Sequence, residues 1–430
     1  MKVMTSREFK GEVLNQIVKR GKTDFSSVSS AVQEIIKAIR KEGDEAVLRF
    51  TEKFDNVSLP QSRLKVTKRE IRKSYRKLKG NQIEALRKAA NNIIRFHKEQ
   101  IGNVWSLRVV RGVTVGQLTR PLSSVGVYAP GGNASYPSSV LMCTIPARVA
   151  GVKKIVVCSP PGTNGDINPA LVAAADLAGA TDIYRIGGAQ AIAAMACGTE
   201  TVPKVDKIVG PGNIFVTAAK MQVSKDVAID LPAGPSEILV VADSTASPFI
   251  IAADLLAQAE HDPSTWAILL TTSKSLAFAV EKEVGAQLEL LPRREIAKSS
   301  VQKRGFIVIV RDLKEAVNYA NTIAPEHLEI LTKAPSKVLD GVRNAGAVFL
   351  GEYSPVAFGD YSAGMNHVLP TGGYAKTYSG LSTRDFVKTI SFLECSKQGY
   401  SNLKETTVTL AKLEGLDAHA KSVSVRRRKK

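Results

Sequence analysis

The sequence predicts an α/β protein built on two open parallel sheets, with helices on its N-terminal side and a helical C-terminal tail. Three observations carry this prediction. From residue 122 to about residue 332, short apolar runs alternate with helical segments. The turns between them are short and carry glycine, proline and asparagine. Residues 28–100 and the stretch beyond 385 show helical rather than alternating periodicity. Strands and helices that alternate through short turns form βαβ units and hence parallel sheets.

The elements follow in order. Residues 28–56 carry helical periodicity twice, broken at Gly43, and residues 67–100 carry two further amphipathic helices. His97, in the second of these, has basic neighbours and reads as structural. The strand run "SSVGVYAP" from Ser123 then leads through the loop "GGNASYPSS" into the helix "VLMCTIPARVAGV". Next come "KKIVVCSPP" (strand), "NPALVAAADLAGA" (helix), "TDIYRIGG" (strand) and "AQAIAAMACG" (helix). "DKIVGPG" (strand), "NIFVTAAKMQVS" (helix) and "VAIDLPAG" (strand) complete the first set. A second set begins at "EILVVAD" and continues through "AILLTTS", a helix over 274–290, "RGFIVIV", "LKEAVNYANTI" and "HLEILT".

Between the first two strands of the second set lies a helix that ends "LLAQAEHDP" (Leu255–Pro263). Ser247 can N-cap it and Pro248 suits its first position. Asp262-Pro263 marks its stop, since proline disfavours helix for the residue before it. Gln258 and His261 are then i, i+3 neighbours on the last turn. Such a pair can hold a metal or cap a buried helix end.

The chain has 430 residues, enough for two to three domains. No apolar stretch reaches the length of a membrane span, and residues 1–25 contain no signal-like apolar core. Cys143, Cys158, Cys197 and Cys395 are far apart and form no CxxC pair, which suits a reducing cytoplasm and removes a thiolate metal site. A net charge of +19 raises nucleic acid as a partner. The basic residues are dispersed, however, except in the terminal run Arg426–Lys430, and aromatics are only 6%, so no stacking platform is evident. The charge reads as a solvated surface.

Four of the five histidines keep company with acids, glycine and proline: His261, His327 after Glu326, His367 seven residues after Asp360, and His419 five after Glu414. Each has a plainer alternative. Glu326-His327 can simply begin a strand, Asp360 can cap a turn, and Glu414 can end a helix at Gly415. As a set, His261, His419, Asp360 and Gln258 offer nitrogen and oxygen donors without sulfur, which suits Zn²⁺. Glu326 and His327 add a carboxylate and a base that titrates near neutrality. These ligands span residues 258 to 419, so spacing alone does not join them. No GxGxxG follows a strand, although "YAPGGN", "IGGAQ" and "VGPGN" are glycine turns opening onto helices, where backbone N–H groups can meet a phosphate.

The stretches "GVYAPGGNASYPSSVLM", "GGAQAIAAMACGTETVPKVDKIVGPGN", "PAGPSEILVVAD", "LLAQAEHD", "APEHLEI", "GDYSAGMNHVLPTGG" and "EGLDAHAK" resemble, in order over residues 28–420, those of histidinol dehydrogenases. The resemblance implies oxidation of L-histidinol to L-histidine through L-histidinaldehyde with two NAD⁺, dependent on zinc, in the final steps of histidine biosynthesis. By motif, Gln258, His261, Asp360 and His419 correspond to the zinc ligands, which also face the substrate. Glu326 and His327 correspond to the acid–base pair, also in contact with substrate. Ser236, His367 and Glu414 correspond to further substrate contacts, and Tyr128, Gln190 and Asn213 to NAD contacts. A cytoplasmic homodimer is implied, with His419 and Glu414 completing the partner's site.

The expected plan is an N-terminal arm (1–21), a discontinuous first α/β domain (22–121 and 238–381), a second α/β domain (122–237) and a helical tail (382–430). Both sheets would be incomplete Rossmann-like. The basic tail and Thr383-Arg384 depart from the family pattern without touching a proposed ligand. Cys158, at the end of a strand, reads as a small core residue rather than a nucleophile. Two rival readings remain at this level: a zinc hydrolase with Glu326 as base, and a basic nucleic-acid-binding module.

Overall fold

A computed structural model of the chain describes residues 1–21, 25–102, 104–131, 135–230 and 234–427. The chain divides into two compact units. One comprises Met1–Gln100 with Ser123–Phe386, the other Ile101–Leu122 with the chain from Val387 onward.

Among the described residues the strands run in chain order as β1 Lys2–Thr5, β2 Trp105–Val110, β3 Val113–Pro121, β4 Ser124–Tyr128, β5 Lys154–Ser159, β6 Asp182–Arg185 and β7 Lys207–Val209. They continue as β8 Ala228–Ile229, β9 Glu237–Ala242, β10 Trp266–Thr271, β11 Gly305–Ile309, β12 His327–Leu331, β13 Ala347–Leu350 and β14 Val387–Cys395.

The first unit holds two sheets. One has six strands in the order β1-β11-β10-β9-β12-β13, the other five in the order β6-β5-β4-β7-β8. All pairings in both are parallel. The reason lies in the apolar runs. β9 and β10 are buried at every residue, as in a sheet covered on both faces. Ile238, Val240 and Ala242 enter one core while Leu239 and Val241 enter the core on the opposite face, the period-two alternation of a strand. The five-stranded sheet packs β5 residues Val156 and Cys158 with helices Ser26–Glu42, Gly188–Cys197 and Ile214–Val223.

In each sheet the strand order reverses once, between β9 and β12 and between β4 and β7. Such a reversal opens a crevice at the strand ends.

The second unit is built on the three-stranded antiparallel sheet β14-β3-β2, followed by helices Lys397–Leu413 and Asp417–Ser424. The tail is helical as expected from Lys397, but residues 387–395 form a strand where helix was expected. Nine consecutive pairs join β14 to β3. Its side chains are exposed or half-buried, so no in–out pattern marked it in the sequence.

Two local expectations are corrected. Ser247 occupies the N-cap of helix Pro248–Ala259, with Pro248 at the first position, but its side chain makes no capping bond. The helix ends at Ala259 with Glu260 as C-cap, so Gln258 lies in the last turn and His261 just beyond it. The turn closes early because Glu260 N–H turns back to the Leu256 and Gln258 carbonyls. The Asp262 side chain accepts from Ser264 N–H at 2.7 Å, making a side-chain turn at Asp262-Pro263.

Candidate active site

Parallel pairing places His327, the first residue of β12, beside Ile238 of β9 and thus next to the Glu237 peptide. Glu237 N–H donates to Glu326 Oε2 at 2.9 Å. His327 Nδ1 lies 3.0 Å from the Glu237 carbonyl oxygen. A carbonyl only accepts, so Nδ1 carries the proton and Nε2 is the atom left for chemistry. Nε2 stands 3.6 Å from Asp360 Oδ1 and, though buried, has no hydrogen-bond partner. Nδ1 is also 3.5 Å from Glu326 Oε2.

The electrostatics follow from burial and these neighbours. Burial raises the Glu326 carboxyl to about 7, with the His327 charge partly opposing it. Burial alone would lower His327, but Glu326 and Asp360 outweigh it and hold the imidazole up at about 9. Asp360 is held below the usual carboxylate range: burial acts against this, while His327, His367 and His261 prevail.

Asp360 sits in the short helix Val356–Tyr361 rather than in a loop turn. Its backbone carbonyl accepts from His367 Nδ1 at 2.8 Å. Burial keeps His367 below its ordinary value, and its Nε2 lies 3.1 Å from the Ser139 hydroxyl. Gln258 is buried in the last turn of its helix. His261 is exposed, and its ring feels the charges of Asp360 and His327. Ser236 immediately precedes β9, its carbonyl taken by Trp266 N–H at 3.3 Å.

The first unit therefore gathers His261, Glu326, His327 and His367 around the Asp360 carboxylate, at the amino end of β12 and of its neighbour β9. Glu414 is the C-cap of helix Lys397–Leu413, and His419 lies in helix Asp417–Ser424; both are exposed in the second unit.

A second feature lies at the carboxyl edge of the five-stranded sheet. A cavity of about 370 Å³ is lined by residues that follow strand ends, among them Tyr128, Pro160, Gly188, Gln190 and Asn213. Tyr128, Gln190 and Asn213 thus share one cavity. The Tyr128 hydroxyl accepts from Gly188 N–H at 3.1 Å. Asn213 N-caps helix Ile214–Val223, accepting from Phe215 and Val216 N–H, each at 3.1 Å. Asp55 also lines the cavity, and burial raises its carboxyl to about 6. Gln190 Nε2 donates to Asp55 Oδ2 at 3.5 Å.

Several participants carried no signal of their own in the sequence. Ser139 and Glu237 lie inside two of the stretches that carry the family resemblance and Asp55 ends a helix, but nothing local singles them out, since the partners they meet are 228, 90 and 135 residues away. Cys158 is fully buried and burial pushes its thiol up, which suits core packing. His97 is buried between Gln100 and Asn366, a satisfied structural histidine.

The donors for a metal are oxygen and nitrogen atoms, the chemistry zinc accepts. In the first unit they are the Gln258 amide, the His261 imidazole and the Asp360 carboxylate. Among the described residues no three His, Cys, Asp or Glu side chains converge as a metal site.

The sequence model of the family described as histidinol dehydrogenase matches residues 18–427. The chain is 50% identical to histidinol dehydrogenase of Methanothermobacter thermautotrophicus over 420 residues, covering 98% of each chain. It is 51% identical to that of Caldanaerobacter subterraneus subsp. tengcongensis over 414 residues, covering 96% of each. The crystal structure of histidinol dehydrogenase from Elizabethkingia anophelis superposes with a TM-score of 0.94 at 39% identity, covering 99% of this chain and 97% of that one. With an acid–histidine cluster on one sheet and a cavity at the switch point of the other, the chain belongs to the histidinol dehydrogenase family and oxidises histidinol in histidine biosynthesis.

Proposed function

We propose that the chain carries out both oxidations, L-histidinol to L-histidinaldehyde and then to L-histidine, with two NAD⁺ and zinc. The observation that carries this reading is the buried Glu326–His327 pair, held on one peptide, with the free Nε2 of His327 facing Asp360. Zinc on Asp360 would offset one of the two charges that hold the His327 imidazole protonated; His327 Nε2, once neutral, takes the alcohol proton as the first hydride leaves, and serves as base again in the second oxidation. Glu326, whose carboxyl burial raises to about 7, can hold or release a proton near neutrality and activates the water that hydrates the aldehyde. Ser236, His367 and Glu414 contact the substrate in this reading.

NAD⁺ supplies the hydride acceptor, held by Tyr128, Gln190 and Asn213 at the switch-point cavity. Zinc supplies a fixed positive charge for the substrate's amine and imidazole, held by Gln258, His261, Asp360 and the partner's His419. Fixing the reacting carbon in this way lowers the orientational cost of hydride transfer.

The second copy is supported by exposed apolar side chains on the second unit. Trp105, Leu107 and Val109 alternate along β2, Leu393 lies on β14, and Leu413 ends the following helix. We propose a homodimer in which Glu414 and His419 complete the partner's site. We place it in the cytoplasm on its widely spaced free cysteines; no helix among the described residues is long and apolar enough to cross a membrane.

The test is the NADH formed per L-histidinol consumed, with purified protein, Zn²⁺ and excess NAD⁺. Two NADH, abolished by a chelator, are expected. One NADH would remove Glu326 from its role. Metal-dependent hydrolysis without NAD⁺ would replace the dehydrogenase reading altogether.

A further inference from the structure

The peptide of Glu237 touches both members of the pair, through its N–H to Glu326 and its carbonyl to His327. Its side chain is itself held. Arg20 Nε donates to Oε1 at 2.6 Å and Arg20 Nη2 to Oε2 at 2.5 Å, a two-pronged pairing. Gly372 N–H adds a bond to Oε1 at 2.7 Å. The two side chains are only 4% and 3% exposed.

The same guanidinium reaches two other elements. Nη1 donates to the Ile17 carbonyl at 2.7 Å, tying Arg20 to its own arm. Nη2 donates to the Ile323 carbonyl at 3.0 Å, at the C-terminus of helix Leu313–Ile323. From there the chain passes through Ala324, at φ +52°, and Pro325 into Glu326. One side chain therefore fixes both the peptide that binds the acid and base and the segment that delivers them.

We propose that Arg20, acting through Glu237, is a positioning residue for Glu326 and His327. The proposal rests on the reading of those two as the reacting pair. A buried ion pair adds little stability over apolar packing of equal volume, so stability alone does not account for a pair held here at six hydrogen bonds, the sixth from Arg20 Nη2 to the Ala324 carbonyl at 3.5 Å. Glu237 is the buried first residue of β9, an interior strand, so its side-chain anchors fix where the strand begins and hence where its peptide meets Glu326 and His327. A displacement of the base by about 1 Å is enough to lower turnover about 10²-fold.

The test measures kcat, KM for L-histidinol and NAD⁺, and thermal midpoint in the zinc-loaded full chain. The double substitution Arg20→Met with Glu237→Leu removes both charges together and leaves neither stranded. Arg20→Lys keeps the charge and loses the two-pronged geometry. The double variant leaves Gly372 N–H and the Ile17 and Ile323 carbonyls without these partners, so its thermal midpoint falls; well below that midpoint both KM values are expected to hold while kcat falls about 10²-fold. Arg20→Lys should show the same pattern with a smaller loss, and it decides the question by the same kcat-against-KM reading if the double variant does not fold.

A kcat within about twofold of wild type in these variants would overturn the proposal. So would losses of kcat that track the thermal midpoint and vanish on cooling, because a purely structural role predicts them. Glu326→Gln and His327→Gln, measured alongside, separate the two ideas. If they retain wild-type kcat, the reading of the pair fails whatever Arg20 does; if they lose it while the Arg20 variants do not, only the positioning role fails.

Discussion

Asp55 shows how one residue at the cavity sets a pH dependence. Burial raises its carboxyl from an ordinary value of 3.8 to about 6. Below pH 4 it is protonated whether the chain is folded or unfolded. Between pH 4 and 6 the folded state keeps a proton that the unfolded state releases, so stability falls as pH rises. Above pH 6 both forms are ionised and the fold carries the whole cost, reduced because the side chain is partly open to solvent. Asp55→Asn should therefore raise the thermal midpoint by roughly 2–4 °C at pH 8 and leave it unchanged at pH 4, read by calorimetry. A gain of equal size at both pH values would point to packing instead. At this scale the rare histidines were legible, because they stand among acids in glycine-rich surroundings. Asp55 was not, since the helix that bears it ends like any exposed helix. Arg20 and Glu237 were not either, since a pair 217 residues apart leaves no local pattern.

The N-terminal arm and the loop that carries "PTGG" meet backbone to backbone. A Cβ added at Gly21 would stand 2.2 Å from the Gly372 carbonyl oxygen, and no side-chain motion relieves a clash with main chain. Gly21→Ala should cost on the order of 2 kcal/mol, seen as a lower denaturant midpoint with an unchanged slope. An unchanged midpoint would show that the arm can lift off this loop without loss. Among the elements, the strands from β4 to β12 were legible as apolar runs between turns, buried in all but the two-residue β8. β2, β3 and β14 were not, because almost none of their side chains are buried and they do not read as core runs. β1 was hidden for another reason: "KVMT" is four residues long, and only its pairing with β11 makes it a strand.

Across the whole molecule, the acid–base pair and the switch-point cavity sit on different sheets, the first at an amino edge and the second at a carboxyl edge. The presence of two parallel sheets was legible from strand–helix alternation. Which strand ends face which chemistry was not, because edge and order arise only from pairing. The dimeric reading makes a test at this scale. Chains with His419→Gln and chains with His327→Gln, each inactive alone, should recover about a quarter of wild-type activity when refolded together in equal amounts, since half the dimers are mixed and each has one intact site. No recovery from demonstrated mixed dimers would show that His419 acts within its own chain or not at all.

The placement of Arg20 also has a consequence in time. Arg20 is made 217 residues before its carboxylate partner. At about 5–20 residues per second, that is a wait of about 10–40 s. The carbonyl of Ile323 comes later still. Until then Phe9 and Ile17, both buried in the finished fold, have no core to enter. The nascent arm is thus a sticky, unfinished segment whose closure waits for β9 and the segment that carries Glu326 and His327, and whatever shields it during synthesis guards the assembly of that cluster.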